Sequence, residues 1–289
     1  MEIPVNKVTT TGKILLLLVL PTINRGAADL AVAPATLVAR FDEAQRPWGV
    51  VVGRDGFLYV ACNNFDIRRI APNGKVSAFS HITPQFVGPG MAWDLKGNLL
   101  IADGPNILKI NSHGVMSELT GGFTRAFDVK VDHQGNMYVA DDVEGRVYRV
   151  TPTLARTVFL DRKPPQRAWF LLAGIDLDRG GANLYLGERV SGRIFKYPIL
   201  ADGQAGQPSL IAEGITTLRT IAVGEGGNVY ALTDFPILVR IAPDGGRTDI
   251  AMREVLDAEG MAFARDEHSL YVSNRLGITR VDLTAMAGK

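Results

Sequence analysis

Asp55-Gly56-Phe57-Leu58-Tyr59-Val60-Ala61 reads as a tight turn running into a β-strand. The glycine supplies the left-handed backbone that a short turn demands, and the Leu-Tyr-Val run has strand character. The same device returns as Lys96-Gly97-Asn98-Leu99-Leu100-Ile101-Ala102 and Gln134-Gly135-Asn136-Met137-Tyr138-Val139-Ala140. Further copies are Gly181-Ala182-Asn183-Leu184-Tyr185-Leu186-Gly187 and Gly226-Gly227-Asn228-Val229-Tyr230-Ala231-Leu232. The last is Asp266-Glu267-His268-Ser269-Leu270-Tyr271-Val272. Six copies make this an internal-repeat protein, and a repeat outranks other local signals.

Each unit opens on an apolar strand ahead of the turn, from Gly49-Val50-Val51-Val52 to Gly260-Met261-Ala262-Phe263. The opening residues 49, 90, 128, 174, 220 and 260 lie 41, 38, 46, 46 and 40 apart. That is the period of a four-stranded propeller blade. A third strand follows in each unit, as in Ile67-Arg68-Arg69-Ile70, and a Gly-containing turn such as Pro72-Asn73-Gly74 reverses the chain into a fourth. The sixth unit runs out of chain after Asp282-Leu283-Thr284, while Thr36-Leu37-Val38-Ala39-Arg40-Phe41 stands unassigned upstream. The fold expected is therefore an all-β, six-bladed propeller over residues 34–289. The N-terminal strand completes the last blade, which closes the ring and removes two sheet edges.

Composition narrows the partners. The 289 residues carry a net charge of +1, which gives no basic face for nucleic acid. Cys62 is the single cysteine, so no internal disulfide forms, and it reads as a packed strand-end residue. Ile14-Leu15-Leu16-Leu17-Leu18-Val19-Leu20 is far short of the ~20 apolar residues of a spanning helix. Preceded by Lys7 and Lys13 and followed by Gly26-Ala27-Ala28, residues 1–33 read as a signal peptide for export or an N-terminal arm that stays attached in a cytoplasmic protein. A monomer acting on a small molecule is expected.

In a propeller the loops leading into the first strand and those leaving the second lie at one end of a central channel. The second set is polar: Asn63, Asp103, Asp142, Glu188, Asp234 and Asn274 are candidate substrate-binding groups. The residues just before the first strands are Trp48, Pro89, Phe127, Ala173, Arg219 and Glu259. This set holds one acid, one base and two large aromatics. A carboxylate in an apolar mouth loses hydration, which raises its pKa and suits it to proton transfer. Glu259 is thus the candidate general acid/base and Arg219 its electrostatic partner; a plain Arg219–Glu259 pair filling the channel is the alternative. Longer loops at this end add His81, Phe86, Trp169 and Phe170 as candidate lid and binding residues.

The run Asn183-Leu184-Tyr185-Leu186-Gly187-Glu188-Arg189-Val190-Ser191-Gly192-Arg193-Ile194-Phe195-Lys196-Tyr197, continuing to Asp202-Gly203, resembles the six-bladed superfamily of senescence-marker/gluconolactonase, NHL-repeat and strictosidine-synthase-like proteins. The gluconolactonase branch implies a divalent cation, calcium or magnesium. Its metal pattern places a Glu where this chain has Trp48, and an Asn and an Asp where it has Phe127 or Ala173 and Arg219. Glu259 alone is too few oxygen ligands for such an ion. The strictosidine-synthase branch implies a metal-free aromatic pocket with a Glu at the start of the sixth blade, where Glu259 stands.

Three readings follow. The first is a metal-independent enzyme without cofactor. It catalyses condensation, cyclisation or rearrangement of an apolar or aromatic metabolite held by Trp48, Phe127 and Trp169. The second is a metal-dependent lactonase or esterase. The third is a non-enzymatic binding propeller. No Gly-x-Ser-x-Gly nucleophile, phosphate-binding glycine loop or His–Cys cluster is present.

Overall fold

The structure, a computed structural model, describes residues 30–82, 90–162 and 172–284. The stretch 14–20 and the predicted binding residues Phe86, Trp169 and Phe170 lie outside these. Two short strands come first, β1 (Ala31–Ala33) and β2 (Ala35–Arg40). A four-stranded antiparallel sheet follows, in chain order: β3 (Pro47–Val52), β4 (Leu58–Cys62), β5 (Asp66–Ile70) and β6 (Val76–His81). Then β7 (Met91–Trp93), β8 (Leu99–Ile110), β9 (Met116–Val131), β10 (Met137–Asp141), β11 (Arg146–Val150) and β12 (Arg156–Asp161) form one six-stranded sheet.

Another four-stranded sheet holds β13 (Leu172–Leu177), β14 (Asn183–Glu188), β15 (Arg193–Pro198) and β16 (Ser209–Ala212). Next come β17 (Leu218–Val223), β18 (Val229–Thr233), β19 (Ile237–Ile241) and β20 (Arg247–Met252), with β1 added in parallel on β20. Finally β21 (Gly260–Phe263), β22 (Ser269–Asn274) and β23 (Gly277–Asp282) pair in order, and β2 lies antiparallel on β23. The architecture is an all-β propeller of five hydrogen-bonded sheets among the described residues.

The repeats predicted breaks between units that the structure does not have everywhere. β8 runs unbroken for 12 residues through Asp103-Gly104-Pro105-Asn106, and β9 for 16 residues through Gly121-Gly122. The register shifts at Gly104/Asn106, and Gly122 takes φ +85°. A strand can bend through such bulges without leaving its ladder. The second and third repeat units are therefore continuous in one sheet.

The turn that dominates the sequence works through a repeated Asp–Asn clamp. Asp132 Oδ1 accepts the backbone N–H of Gln134 (2.9 Å) and of Asn136 (2.8 Å), and Oδ2 accepts Asn136 Nδ2 (2.8 Å). Asp94 holds Lys96 and Asn98 in the same way, and Asp178 holds Ala182 and Asn183. Gly97 and Gly135 sit between at φ +80° and +82°, where any other residue is strained. The carboxylate replaces backbone partners that a tight turn cannot supply.

Between sheets the core is apolar and interdigitated. Tyr59 meets Phe79 and Trp93 edge-to-face, each at 4.9 Å, over Ile67, Leu99 and Ile101. Cys62 is fully buried, and burial pushes its thiol up to about 12, in keeping with a packed residue.

Replacing Asp132 with alanine removes two acceptor oxygens and three hydrogen bonds to largely buried donors. The Asp132→Ala variant is expected to lose about 2 kcal/mol of stability, read as a lower urea midpoint. An unchanged midpoint would show that the clamp is dispensable.

Candidate functional site

The strand beginnings and the β4–β5, β14–β15 and β18–β19 loops meet at one end of the channel. Five charged side chains link up there. Glu259, just ahead of β21, is 17% exposed and lies between two guanidinium groups. Its Oε1 accepts Arg46 Nη2 at 2.7 Å, and its Oε2 pairs with Arg219 Nη1 at 3.1 Å. Arg219, near the start of β17, also donates from Nε to Asp234 Oδ1, and Arg189 reaches Asp234 at 3.3 Å. The chain Arg46–Glu259–Arg219–Asp234–Arg189 holds three positive and two negative charges. Burial raises the Glu259 pKa, against the opposing pull of Arg219 and then Arg46. Burial and the charge of Arg219 depress that of Arg189. Arg46 Nε is buried and donates to no acceptor among the described residues.

Glu259 and Arg219 are thus brought together as the sequence suggests, but Arg46 takes the second carboxylate oxygen. It stands three residues before Gly49, two earlier than Trp48, the position read as the mouth. The other candidates scatter. Trp48 is half-buried and packs on the cluster of Tyr59, Met91 and Ile101, while its carbonyl accepts Ser273 Oγ at 2.7 Å. Phe127 lines the channel cavity. His81, at the end of β6, is 65% exposed, with Nδ1 2.8 Å from Asp66 Oδ1. Asp103 is buried.

Asp142 is buried and grips Arg125 through both oxygens, at 2.6 and 2.7 Å. Burial raises its pKa while Arg125 opposes. Glu188 binds Arg162 and Ser191. Asn63 donates weakly to the Glu43 carbonyl. Asn274 is a correction to the picture of a polar rim. It is fully buried, donates to Thr279 Oγ1 at 3.0 Å and accepts the Leu276 N–H at 3.0 Å, so it builds its own turn instead of facing a ligand.

A divalent cation does not fit this mouth. Both oxygens of Glu259 face guanidinium groups, and Asp234 faces Arg219 from that pair and Arg189 besides. Hard cations need several oxygen ligands without competing positive charge. Among the described residues no three His, Cys, Asp or Glu side chains converge to hold a metal.

A second feature lies beneath the mouth. A cavity of about 420 Å3 runs along the first strands toward the opposite end, lined by Val50, Met91, Trp93, Phe127 and Phe263 among others. Its polar floor is Asp128, Lys130 and Asp176. Lys130 Nζ donates to Asp128 Oδ1 at 2.7 Å. Asp128 Oδ2 accepts the Ile175 N–H at 3.0 Å, and Asp176 Oδ2 accepts the Val223 N–H at 2.8 Å. Burial pushes the Asp176 carboxyl up to about 6, with Lys130 and two N–H groups opposing. Burial pulls on the Lys130 ammonium in the other direction, but Asp128 and Asp176 outweigh it and hold its pKa high. A charged pair inside Asp128-Val129-Lys130-Val131, and Asp176 between Ile175 and Leu177, break the apolar pattern of an inner strand. That break is the signal by which the cavity could have been found.

No family model matches the chain, and no curated protein matches it in sequence. Solved structures do match in fold. A gluconolactonase from Xanthomonas campestris superposes with a TM-score of 0.74 at 16% identity, over 86% of this chain and 89% of that one. Virginiamycin B lyase from Staphylococcus aureus gives 0.65 at 13% identity, over 87% and 99%. An auxiliary nutrient binding protein from Bacteroides thetaiotaomicron gives 0.69 at 14%, over 82% and 69%. The shared fold thus serves two enzymes and a binding protein.

Unfolded, an aspartate releases its proton near ~3.9; folded, Asp176 keeps it to about 6. The folded state binds the extra proton between these values, so this contribution to stability is complete below ~4 and is lost as pH rises through about 6. Urea midpoints across that window are expected to fall less steeply with rising pH in Asp176→Asn than in the parent. Parallel curves would show that the group titrates normally.

Proposed function

We propose that this propeller is a small-molecule enzyme whose reaction centre is the charged mouth. Glu259 moves a proton, and Arg46 and Arg219 hold the developing negative charge. The observation that carries this reading is Glu259 itself: one largely sheltered carboxylate with a guanidinium on each oxygen. Six repeat modules frame it, the six-stranded sheet counting as two that share β8 and β9. On this reading β2 completes the last module and closes the ring.

The substrate is an apolar or aromatic metabolite with a carbonyl or carboxylate. Its oxygen takes the spare Arg46 Nε–H and displaces one guanidinium from Glu259. Freed on that side, the carboxylate accepts a proton from the substrate and later returns it, while the arginines stabilise the intermediate oxyanion. Condensation, cyclisation, rearrangement and elimination all suit this apparatus, since each turns on proton transfer beside a carbonyl. The likeness in fold to a lyase and a lactonase supports enzymatic use of the scaffold. The proton transfer uses the chain's own side chains, because the mouth residues do not suit a metal.

A second reading is a binding propeller, favoured by the Arg219–Glu259 pair that already bridges the mouth. The two separate in one experiment. Purified protein is assayed against lactones, aryl esters and aldehyde–amine pairs, with and without chelator. Enzymatic function predicts turnover that survives the chelator and falls about 100-fold or more in kcat in Glu259→Gln. Arg219→Gln should lower kcat and raise KM together. Activity untouched in Glu259→Gln would overturn the mechanism; loss on chelation would restore the metal-dependent lactonase. Ligand binding without turnover would establish the second reading.

A further inference from the structure

The cavity beneath the mouth is a separate compartment. Neither Glu259 nor Arg219 lines it, and its far end is bordered by Asp132, His133, Asp178 and Arg179, in the turns between first and second strands. Its charges do not balance. Lys130 is neutralised by Asp128 at 2.7 Å. Asp176 feels the Lys130 charge without a hydrogen bond to it, and its hydrogen-bond partners are two backbone N–H groups, Leu177 on Oδ1 and Val223 on Oδ2. A carboxylate has about four lone-pair positions, so Asp176 keeps acceptor capacity toward the cavity. Lys130, 24% exposed, points to the same floor and repels a second cation less than it would alone, because Asp128 is bonded to it.

The approach is acidic as well. Asp132 and Asp178 border the opening, and Arg179, the cation beside them, is tied to Glu225 with Glu267 3.9 Å away. The walls are apolar and aromatic. Trp93 is fixed by an indole N–H bond to the Val52 carbonyl at 2.9 Å, and Phe127 and Phe263 face the same space. Aromatic faces attract cations, and a mostly apolar pocket with few polar groups is how small organic ligands are bound. The volume falls in the range such pockets occupy.

We propose that this cavity binds a small primary ammonium compound with an aromatic or aliphatic body, entering from the end opposite the mouth. The ammonium pairs with Asp176, and the body lies against Trp93, Phe127 and Phe263. This site stands independently of the reaction assigned to the mouth, so either can fail without the other.

The test is calorimetric titration of the full chain at pH 7.5 with three probes of one shape: phenethylamine, phenethyl alcohol and 3-phenylpropionate. Phenethylamine is expected to bind at about 1 mM or tighter, and ahead of the other two. Asp176→Asn should weaken it about tenfold or more, the usual loss for a hydrogen bond to a charged group, while leaving the alcohol unchanged. Hydrogen exchange on the parent protein should slow at residues 128–131 and 174–177 when phenethylamine is added. The parent's ranking of probes and this exchange pattern decide the matter even if the variant does not fold. No binding of the amine, a preference for the anion or the neutral probe, or protection confined to the mouth would overturn the proposal.

Discussion

Sheets in a propeller share no ladder with their neighbours, so something must join them across each seam. Along part of the channel the link is a carboxylate on one inner strand that accepts a backbone N–H from the next. Asp128 takes Ile175, and Asp176 takes Val223. At the seam between last and first units a hydroxyl does the same work: Ser273 Oγ accepts Gly260 N–H and donates to the Trp48 carbonyl. These bonds pull the inner strands so close that some positions admit no side chain. A Cβ on Gly260 would lie 2.7 Å from the Trp48 carbonyl oxygen. Apolar packing supplies most of the stability, but it is non-directional. The polar links set which strand stands beside which.

The same carboxylates give the channel two unlike ends. At the mouth three arginines outnumber two acids, and burial keeps Glu259 more readily protonated than a surface glutamate. Deeper in, Asp128 and Asp176 outnumber Lys130. Both clusters sit where low dielectric makes an unmatched charge costly, so each is paired internally, and what remains unmatched is what a ligand would meet. In the proposed amine site, Asp176 would join two inner strands and also meet the ligand.

Most of the architecture was legible because its causes are local. A glycine at positive φ, an aspartate clamping the turn and an alternating apolar strand all fall within a few neighbouring residues, and they repeat. The continuity of β8 and β9 was not legible, since Gly104 and Gly121-Gly122 look like turn residues until the ladder carries them through. Glu259 and Arg219 stood out because each interrupts an otherwise apolar strand opening. Arg46 did not: its bond to Glu259 spans 213 positions, and no local pattern marks it. Asn274 misled for the opposite reason, because an amide that completes a turn looks in sequence like one that faces a ligand. Asp128, Lys130 and Asp176 were in plain view within strands taken to be apolar.

The stretch from β1 to β2 is used twice. β1 lies on β20 and β2 on β23, so about ten consecutive residues fasten two adjacent sheets built from far later in the sequence. A ribosome delivers those ten well before their docking sites on β20 and β23. The nascent protein must therefore hold residues 31–40 unpaired until β20 and β23 have emerged, and these two pairings join segments more than two hundred positions apart. Such long-range closure is slow in proportion to the chain that separates its parts.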